Sequence, residues 1–226
     1  KPEAVVPPKP RIEPPQKGLR QITVQAPAEV PYLVMGYKVP VLMTAGEDWE
    51  PYALEVLAGI LDGGDSARLA IELVRGSQVA ASAGSGYHLY NRQDGLFLLD
   101  GKPSSKHALA DVKQALLDQV RRLREKPVEA EELSRVKSQV VASAVYEQDS
   151  IFYQAMQIGQ LETVGLDWQV MDEYVDRVNA VTAEQLQAVA KKYLVDTQLT
   201  IAELDPLPME SGNKSRGQQG DAHGRH

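Results

Sequence analysis

The sequence predicts an α+β fold with a mainly antiparallel sheet. Segments that alternate polar and apolar residues, as half-buried strands do, lie near both ends of the folded region and around an Asp94-Gly95 turn. Long segments with apolar residues at helical spacing lie between them. These strand and helix signals occur in clusters and do not alternate regularly, which favours α+β over a parallel α/β sheet.

The first half of this region is predicted to hold four strands and two helices. Strands are expected at 21–24 and at 32–39, where Pro40 ends the second. A helix over 50–61 should end at the Gly63-Gly64 pair, and another should run from an N-cap at Ser66 to about Val74. The two strands of the hairpin are expected at 78–90 and 96–99.

The second half is predicted to be mostly helical. Ser105 is a candidate N-cap for a helix with apolar residues from Leu109 to Leu123, and Pro127 is expected to open a second long helix. Further helices are expected at 152–162 and 168–178. The segment from Thr182 to Gln185 has the spacing of a capping box for a helix through Tyr193, and 199–202 is expected to be the last strand.

Three regions follow from composition. Residues 1–17 are expected to be a proline-rich linker, since six of the first fifteen residues are prolines and favour an extended conformation. Residues 18–205 should form the folded domain. Residues 206–226 are expected to be a disordered tail containing His223 and His226. Because Lys1 is neither an initiator Met nor the start of a signal peptide, we expect the chain to be part of a longer protein.

Charge and composition exclude several classes of function. The net charge of −7 argues against nucleic-acid binding, which normally requires a basic face. The chain has no cysteine, so disulfides and thiolate chemistry are absent. No apolar run approaches the length of about 18 residues that a membrane-spanning helix requires.

The standard catalytic motifs are also missing. No predicted helix carries an H-x-x-H, HExxH or H-x-x-E-H pattern, and the sequence has no G-x-S-x-G pattern. His223 and His226 lie three residues apart in the expected disordered tail, where such a pair is more often incidental than a metal site. His107 and Asp111 are four residues apart on a predicted helix, which more often marks a surface or capping pair than a metal site. His88 falls in a predicted strand and is interpreted as structural or solvent-facing. We therefore predict no catalytic and no metal-binding residue in this chain.

Four segments resemble the inactive carboxyl-terminal half of pitrilysin/insulinase-type zinc peptidases. They are, in order, ILDGGDSARLAIELVRGSQVAASAGSGY, DGLFLL, KPVEAEELSRVKSQV and VTAEQLQAVAKKYL, and the resemblance extends over about 21–204. The resemblance implies a sheet with helices on one face. It also implies that the chain closes a peptide-degrading chamber over an amino-terminal half, which carries zinc on an H-x-x-E-H motif.

One departure from the family concerns substrate binding. Relatives carry an Arg and, seven residues later, a Tyr that help to hold the substrate, but the alignment places Val74 and Ala81 at these positions. Arg68, Arg75 and Tyr87 are the remaining chamber candidates. The departure suggests the two-subunit bacterial branch, in which a homo- or heterodimeric partner would supply the Arg/Tyr pair and the zinc-bearing subunit would include this chain.

Three functions remain open at this point. The full-length protein would be a zinc metalloendopeptidase acting on peptides, with this half inactive by itself and the periplasm as the expected compartment. The alternative is a non-catalytic scaffold or assembly subunit of the same fold, as found in some respiratory complexes. The third is an unrelated α+β binding module carried on a proline-rich arm.

Overall fold

The computed structural model describes residues 14–209. Most of the expected linker at 1–17 and most of the expected tail at 206–226 lie outside the described residues, and so do His223 and His226. Within 14–209, no helix is long and apolar enough to cross a membrane.

Five strands form one sheet, and their order is β1-β5-β2-β4-β3. Only β1 and β5 pair in parallel, while the other three pairs are antiparallel. The predicted α+β class with a mainly antiparallel sheet is therefore confirmed. The strands are β1 (Arg20–Pro27), β2 (Tyr32–Val39), β3 (Ala80–Gly86), β4 (Gly95–Pro103) and β5 (Leu199–Leu207).

Six α-helices and a π-helical segment, Leu69–Gly76, are found in the described part of the chain. The π-helical segment lies between α1 and β3, and four of the α-helices follow one another between β4 and the last helix. The α-helices are α1 (Trp49–Asp62), α2 (Leu109–Glu125), α3 (Ala130–Gln148), α4 (Ile151–Val164), α5 (Val170–Ala180) and α6 (Ala183–Tyr193).

The core lies between one face of the sheet and the helices. Leu33, Met35 and Tyr37 of β2 are buried in one cluster with apolar residues of α1, α2 and α6. The register pairs Met35 with Leu99 and Tyr37 with Phe97, so β4 buries the same face. Alternate residues of a strand point to opposite faces. The expected one-sided helical layer is thus present.

The opposite face carries large apolar side chains that remain about half exposed. Ile22 and Val24 of β1 and Leu96 of β4 belong to this group. No helix within residues 14–209 covers them. We call this surface the bare face of the sheet.

The predicted hairpin is present, but its connection is longer than expected. The strand predicted over 78–90 ends at Gly86, and Gly95 already belongs to β4, so residues 87–94 form the connection in place of an Asp94-Gly95 turn. The Tyr87 hydroxyl donates to the Pro40 carbonyl at 2.7 Å, and the Leu42 amide donates to the Leu89 carbonyl. These bonds fasten the connection to the loop after β2 and prevent the ladder from continuing.

Three predicted helix starts are wrong. The Ser66 hydroxyl does not cap a helix but accepts a hydrogen bond from Arg135 at 2.6 Å. Helix α2 begins after Ser105, at Leu109, where the Asp111 carboxylate accepts from the Ala108 amide. Helix α3 begins only after Pro127, at Ala130. There the extended chain buries Val128, a tertiary contact that no local signal indicates.

The start of α6 agrees with the sequence prediction. The Thr182 hydroxyl accepts from the Gln185 amide at 3.2 Å, and the Gln185 side chain accepts from the Thr182 amide at 2.9 Å. This capping box satisfies two backbone donors that would otherwise lack a partner at the helix start.

Replacing Thr182 by Ala should therefore lower the free energy of unfolding by about 1 kcal/mol, because one backbone donor loses its acceptor. The matched control is Ser105→Ala, whose side chain is exposed and makes no capping bond in the described structure. Its effect should stay within about 0.5 kcal/mol. Denaturant unfolding measures both, and a larger loss for Ser105→Ala would contradict the assignment of the caps.

Candidate functional site

Arg68, the first of the chamber candidates, is engaged in a bidentate ion pair. Its Nε and Nη2 atoms donate to the two carboxylate oxygens of Glu132 at 2.8 and 2.6 Å, and its side chain is only 13% exposed. A two-bond guanidinium–carboxylate pair has a fixed geometry. Arg68 therefore joins the start of the π-helical segment to α3.

The other two candidates have different surroundings. Arg75 is exposed and donates to the backbone carbonyl of Asp65. Tyr87 lies in the connection between β3 and β4 and packs against the core. Arg68 and Tyr87 line different clefts, so the structure does not bring the three candidates together. Val74 is partly buried in the π-helical segment and Ala81 is exposed on β3.

The two histidines of the described region also lie apart. His88 is exposed in the connection after β3, so its expected place in a strand is corrected. His107 Nδ1 lies 3.6 Å from Asp111 Oδ2, which also accepts from the Ala108 amide as a helix cap. Within residues 14–209, no three His, Asp or Glu side chains come together in a way that could hold a metal ion.

The most distinctive cleft lies in the helical layer, away from the bare face. It has a volume of about 360 Å³. Its walls come from α1, the connection after β3, α3, α4 and α5. Its lining combines two carboxylates, four tyrosines and two methionines, which are Glu55, Glu147, Tyr87, Tyr90, Tyr153, Tyr174, Met156 and Met171.

Glu55 of α1 is the most unusual member of this cleft. Its Oε1 accepts from the Tyr174 hydroxyl at 2.9 Å, whereas its Oε2 is inaccessible to water and has no hydrogen-bond partner in the described structure. Burial, opposed in part by the bond from Tyr174, raises the pKa of Glu55 to about 7. Near neutral pH this carboxyl group therefore exchanges between its neutral and charged forms.

The tyrosines around Glu55 keep their protons. Burial raises the pKa of Tyr87, Tyr90 and Tyr174, and the charge of Glu55 adds to each increase. A hydrogen bond to Glu147 raises the pKa of Tyr153 to about 12. The cleft thus offers neutral aromatic rings and two carboxylates, an arrangement suited to binding a positive charge.

Sequence reasoning did not select Glu55. The one local signal was a carboxylate inside the apolar run Tyr52-Ala53-Leu54-Glu55-Val56-Leu57 of a predicted helix. Such residues are rarely buried without a partner. The cover provided by α3, α4 and α5 comes from distant sequence.

The domain has one helical layer packed on a five-stranded, mainly antiparallel sheet. A sequence model described as the peptidase M16 inactive domain matches residues 1–140. Since the match extends over more than half of the chain, the chain belongs to this family, the inactive carboxyl-terminal half of M16 peptidases. The resemblance to the inactive half of a zinc peptidase is confirmed. No curated protein sequence matches the chain.

Solved structures show the same fold. A protease from Helicobacter pylori matches with a TM-score of 0.78 and 24% identity, over 85% of this chain and 46% of that protein. The inactive peptidase domain of a candidate zinc protease from Bordetella parapertussis matches with a TM-score of 0.70 and 20% identity, over 84% and 98% of the two chains. The periplasmic protease PqqL from Escherichia coli has a TM-score of 0.63 and 20% identity, over 84% and 21%. This chain thus spans about half the length of the Helicobacter protein.

Replacing Glu55 by Gln should make stability less dependent on pH. The folded state raises the pKa of Glu55 from 4.5 to about 7, so it binds the proton more tightly than the unfolded state. The wild-type protein therefore loses up to about 3 kcal/mol of stability as pH rises from about 5 to about 8. The glutamine side chain has no charge to desolvate, so the variant should gain this amount relative to wild type over that range.

Denaturant unfolding at about pH 5, 6, 7 and 8 measures the difference. Glu29→Gln is the matched control, because Glu29 is exposed in the loop between β1 and β2 and the change in net charge is the same. Parallel pH profiles for wild type and Glu55→Gln would show that Glu55 is not desolvated.

Proposed function

We propose that this chain is the non-catalytic closure half of a zinc metallopeptidase and that the bare face of its sheet lines the peptide chamber. The observation that carries the proposal is the one-sided sheet. Ile22, Val24 and Leu96 are half exposed on the face that no helix of the described region covers. These residues lie on β1 and β4, with β5 and β2 between them. Extensive exposed apolar surface marks a face that meets another molecule.

The bare face also carries polar groups that suit an extended peptide. The Tyr32 hydroxyl donates to Asp100 Oδ2 at 2.8 Å, and the Lys102 ammonium lies 5.6 Å from the centre of the Tyr32 ring. Apolar and hydrogen-bonding groups thus share one surface, which suits contact with both the side chains and the backbone of a substrate.

Hydrolysis is assigned to another half. The sequence has no H-x-x-E-H motif, and the described residues bring no metal-ligand set together. Zinc would be held by the amino-terminal half, joined through the linker expected at 1–17. There the metal would lower the pKa of a bound water to make a nucleophile, while this chain contributes chamber wall.

Two finer assignments belong to the proposal. The Arg/Tyr pair absent at Val74 and Ala81 would come from a partner subunit, making the protein part of a homo- or heterodimer. The periplasm is the proposed compartment. Its support is the similarity of fold to a protease described as periplasmic.

The alternative is a scaffold or assembly subunit of the same fold with no peptidase activity in the whole protein. Every feature of this chain described above is compatible with the scaffold as well, since both functions use a domain without zinc ligands. The two differ in whether the amino-terminal half carries an intact zinc motif.

The purified chain should retain less than about a tenth of an equivalent of zinc after dialysis, because residues 14–209 preform no ligand set that could hold it. A His223→Ala/His226→Ala variant removes metal bound by histidines outside the described residues. The chain alone should not cleave a quenched fluorescent peptide, whereas adding a zinc-bearing half should produce cleavage that a chelator abolishes.

Metal analysis and the peptide assay have three informative outcomes. A full equivalent of zinc that is lost in His88→Ala or His107→Ala would contradict the assignment of hydrolysis to another half. Cleavage by the chain alone would do the same. An amino-terminal half without zinc and without activity would favour the scaffold.

A further inference from the structure

The Glu55 cleft lies in the helical layer, on the side of the domain away from the bare face. We propose that the Glu55 cleft binds a cationic side chain presented by a polypeptide segment, with the Glu55 carboxylate as its counter-ion and the tyrosine rings as its walls. The proposal does not depend on the peptidase function.

The first support is the unused acceptor inside the cleft. Glu55 Oε2 is buried, has no hydrogen-bond partner in the described structure and belongs to a residue that lines the cavity. A buried carboxylate oxygen without a partner is costly, and most buried polar atoms in folded proteins have one. A rotation of the carboxyl group that turns this oxygen toward the cavity would let a donor from a ligand supply the missing bond.

The second support is the sign of the charge. Glu55 and Glu147 both line the cleft, and no Lys or Arg is among the described residues that form its walls. Tyr87, Tyr90 and Tyr174 surround Glu55 with neutral rings. A cation over such rings is attracted by their π electrons as well as by the carboxylates.

The third support explains why the cation should belong to a polypeptide. The junction of α3 and α4 exposes Tyr146, Ile151 and Phe152, which are 76, 85 and 79% accessible. Glu147 follows Tyr146 directly and Tyr153 follows Phe152, so these exposed apolar residues are chain neighbours of two residues that line the cleft. A small inorganic or amine ligand would leave this apolar surface uncovered, whereas a segment with apolar residues beside its cation would cover both.

Arginine fits the cleft better than lysine. Its planar guanidinium stacks on aromatic rings and offers five donors in a fixed fork, so one group can meet two carboxylates and a ring together. An acetylated leucine-arginine-leucine amide is therefore the probe. The same peptide with citrulline in place of arginine keeps the planar shape but has no charge, and a carbonyl oxygen replaces one of the two terminal amino groups.

Calorimetric titration of the full chain at about pH 8 tests the site. The arginine peptide should bind at least about ten-fold more tightly than the citrulline peptide. The Glu55→Gln variant should bind the arginine peptide at least about ten-fold more weakly than the wild-type protein does. Glu29→Gln lowers the net negative charge equally and should bind as wild type does. Far-ultraviolet circular dichroism and the unfolding midpoint of each variant establish that both remain folded.

The affinity should also change with pH in a defined direction. Glu55 faces Glu147 of α3, Tyr153 of α4, Tyr174 of α5, and the connection that carries Tyr87, Tyr90 and His88. The pKa of Glu55 is about 7, so lowering the pH from about 8 to about 6 neutralises it and should weaken binding by up to about ten-fold. The contribution of Glu55 is the part of this change that disappears in Glu55→Gln.

Three results would overturn the proposal. Equal affinity for the arginine and citrulline peptides would mean that the apolar surface alone docks the segment. Wild-type affinity in Glu55→Gln would place the cation elsewhere. No binding of the arginine peptide at millimolar concentration would leave the cleft without the proposed ligand.

Discussion

Leu33, Met35 and Tyr37 of β2 point into a core shared with α1, α2 and α6 and are essentially inaccessible to water. Burial of each such side chain contributes roughly 1.5–3 kcal/mol. Because a strand has a period of two, the side chains between them must point to the other side of the sheet. Because β2 pairs with both β4 and β5, the same separation into a core-facing side and a bare face extends across three strands.

The close approach of α2 to the sheet depends on the same division. A Cβ added to Gly101 of β4 would lie 2.7 Å from Val112 Cγ1 of α2, so a larger residue would push the helix away. The helical layer is therefore confined to one side by close packing. Leu96 and its neighbours on the bare face have no such cover within the described chain, and they remain available to another part of the protein or to a partner.

Glu55, unlike the apolar core residues, lowers the stability of the fold when it is charged. A desolvated carboxylate opposes folding at neutral pH, and an apolar residue in a cleft that Val140 and Met171 also line would not have that cost. Ionisable groups held in unfavourable surroundings occur more often at functional sites than in ordinary cores. The cleft around Glu55 is therefore a better candidate for recognition than the ion pair of Arg68 and Glu132, whose donors and acceptors already satisfy each other.

Local patterns predicted the parts of the fold that local contacts determine. The bounds of β2 and the capping box at Thr182 agree with the structure because alternation and side-chain caps act over a few residues. The predicted connection after β3 and the predicted start of α3 were wrong because distant contacts determine both. Tyr87 bonds to Pro40, and Val128 is buried. The Glu55 cleft could not be predicted, since separate elements from distant parts of the sequence have to meet around one carboxylate.

The chemistry of the cleft favours binding over hydrolysis. A carboxyl group with a pKa near 7 could accept a proton at neutral pH, as a general base does. Cleaving a peptide bond also requires a group that stabilises the developing oxyanion. The neighbouring tyrosines retain their protons, but Tyr174 already donates to Glu55 and Tyr87 to Pro40, so neither hydroxyl is directed at a substrate carbonyl. The Glu55 carboxylate, surrounded by aromatic rings, is suited to holding a positively charged side chain and is not equipped to cleave a peptide bond.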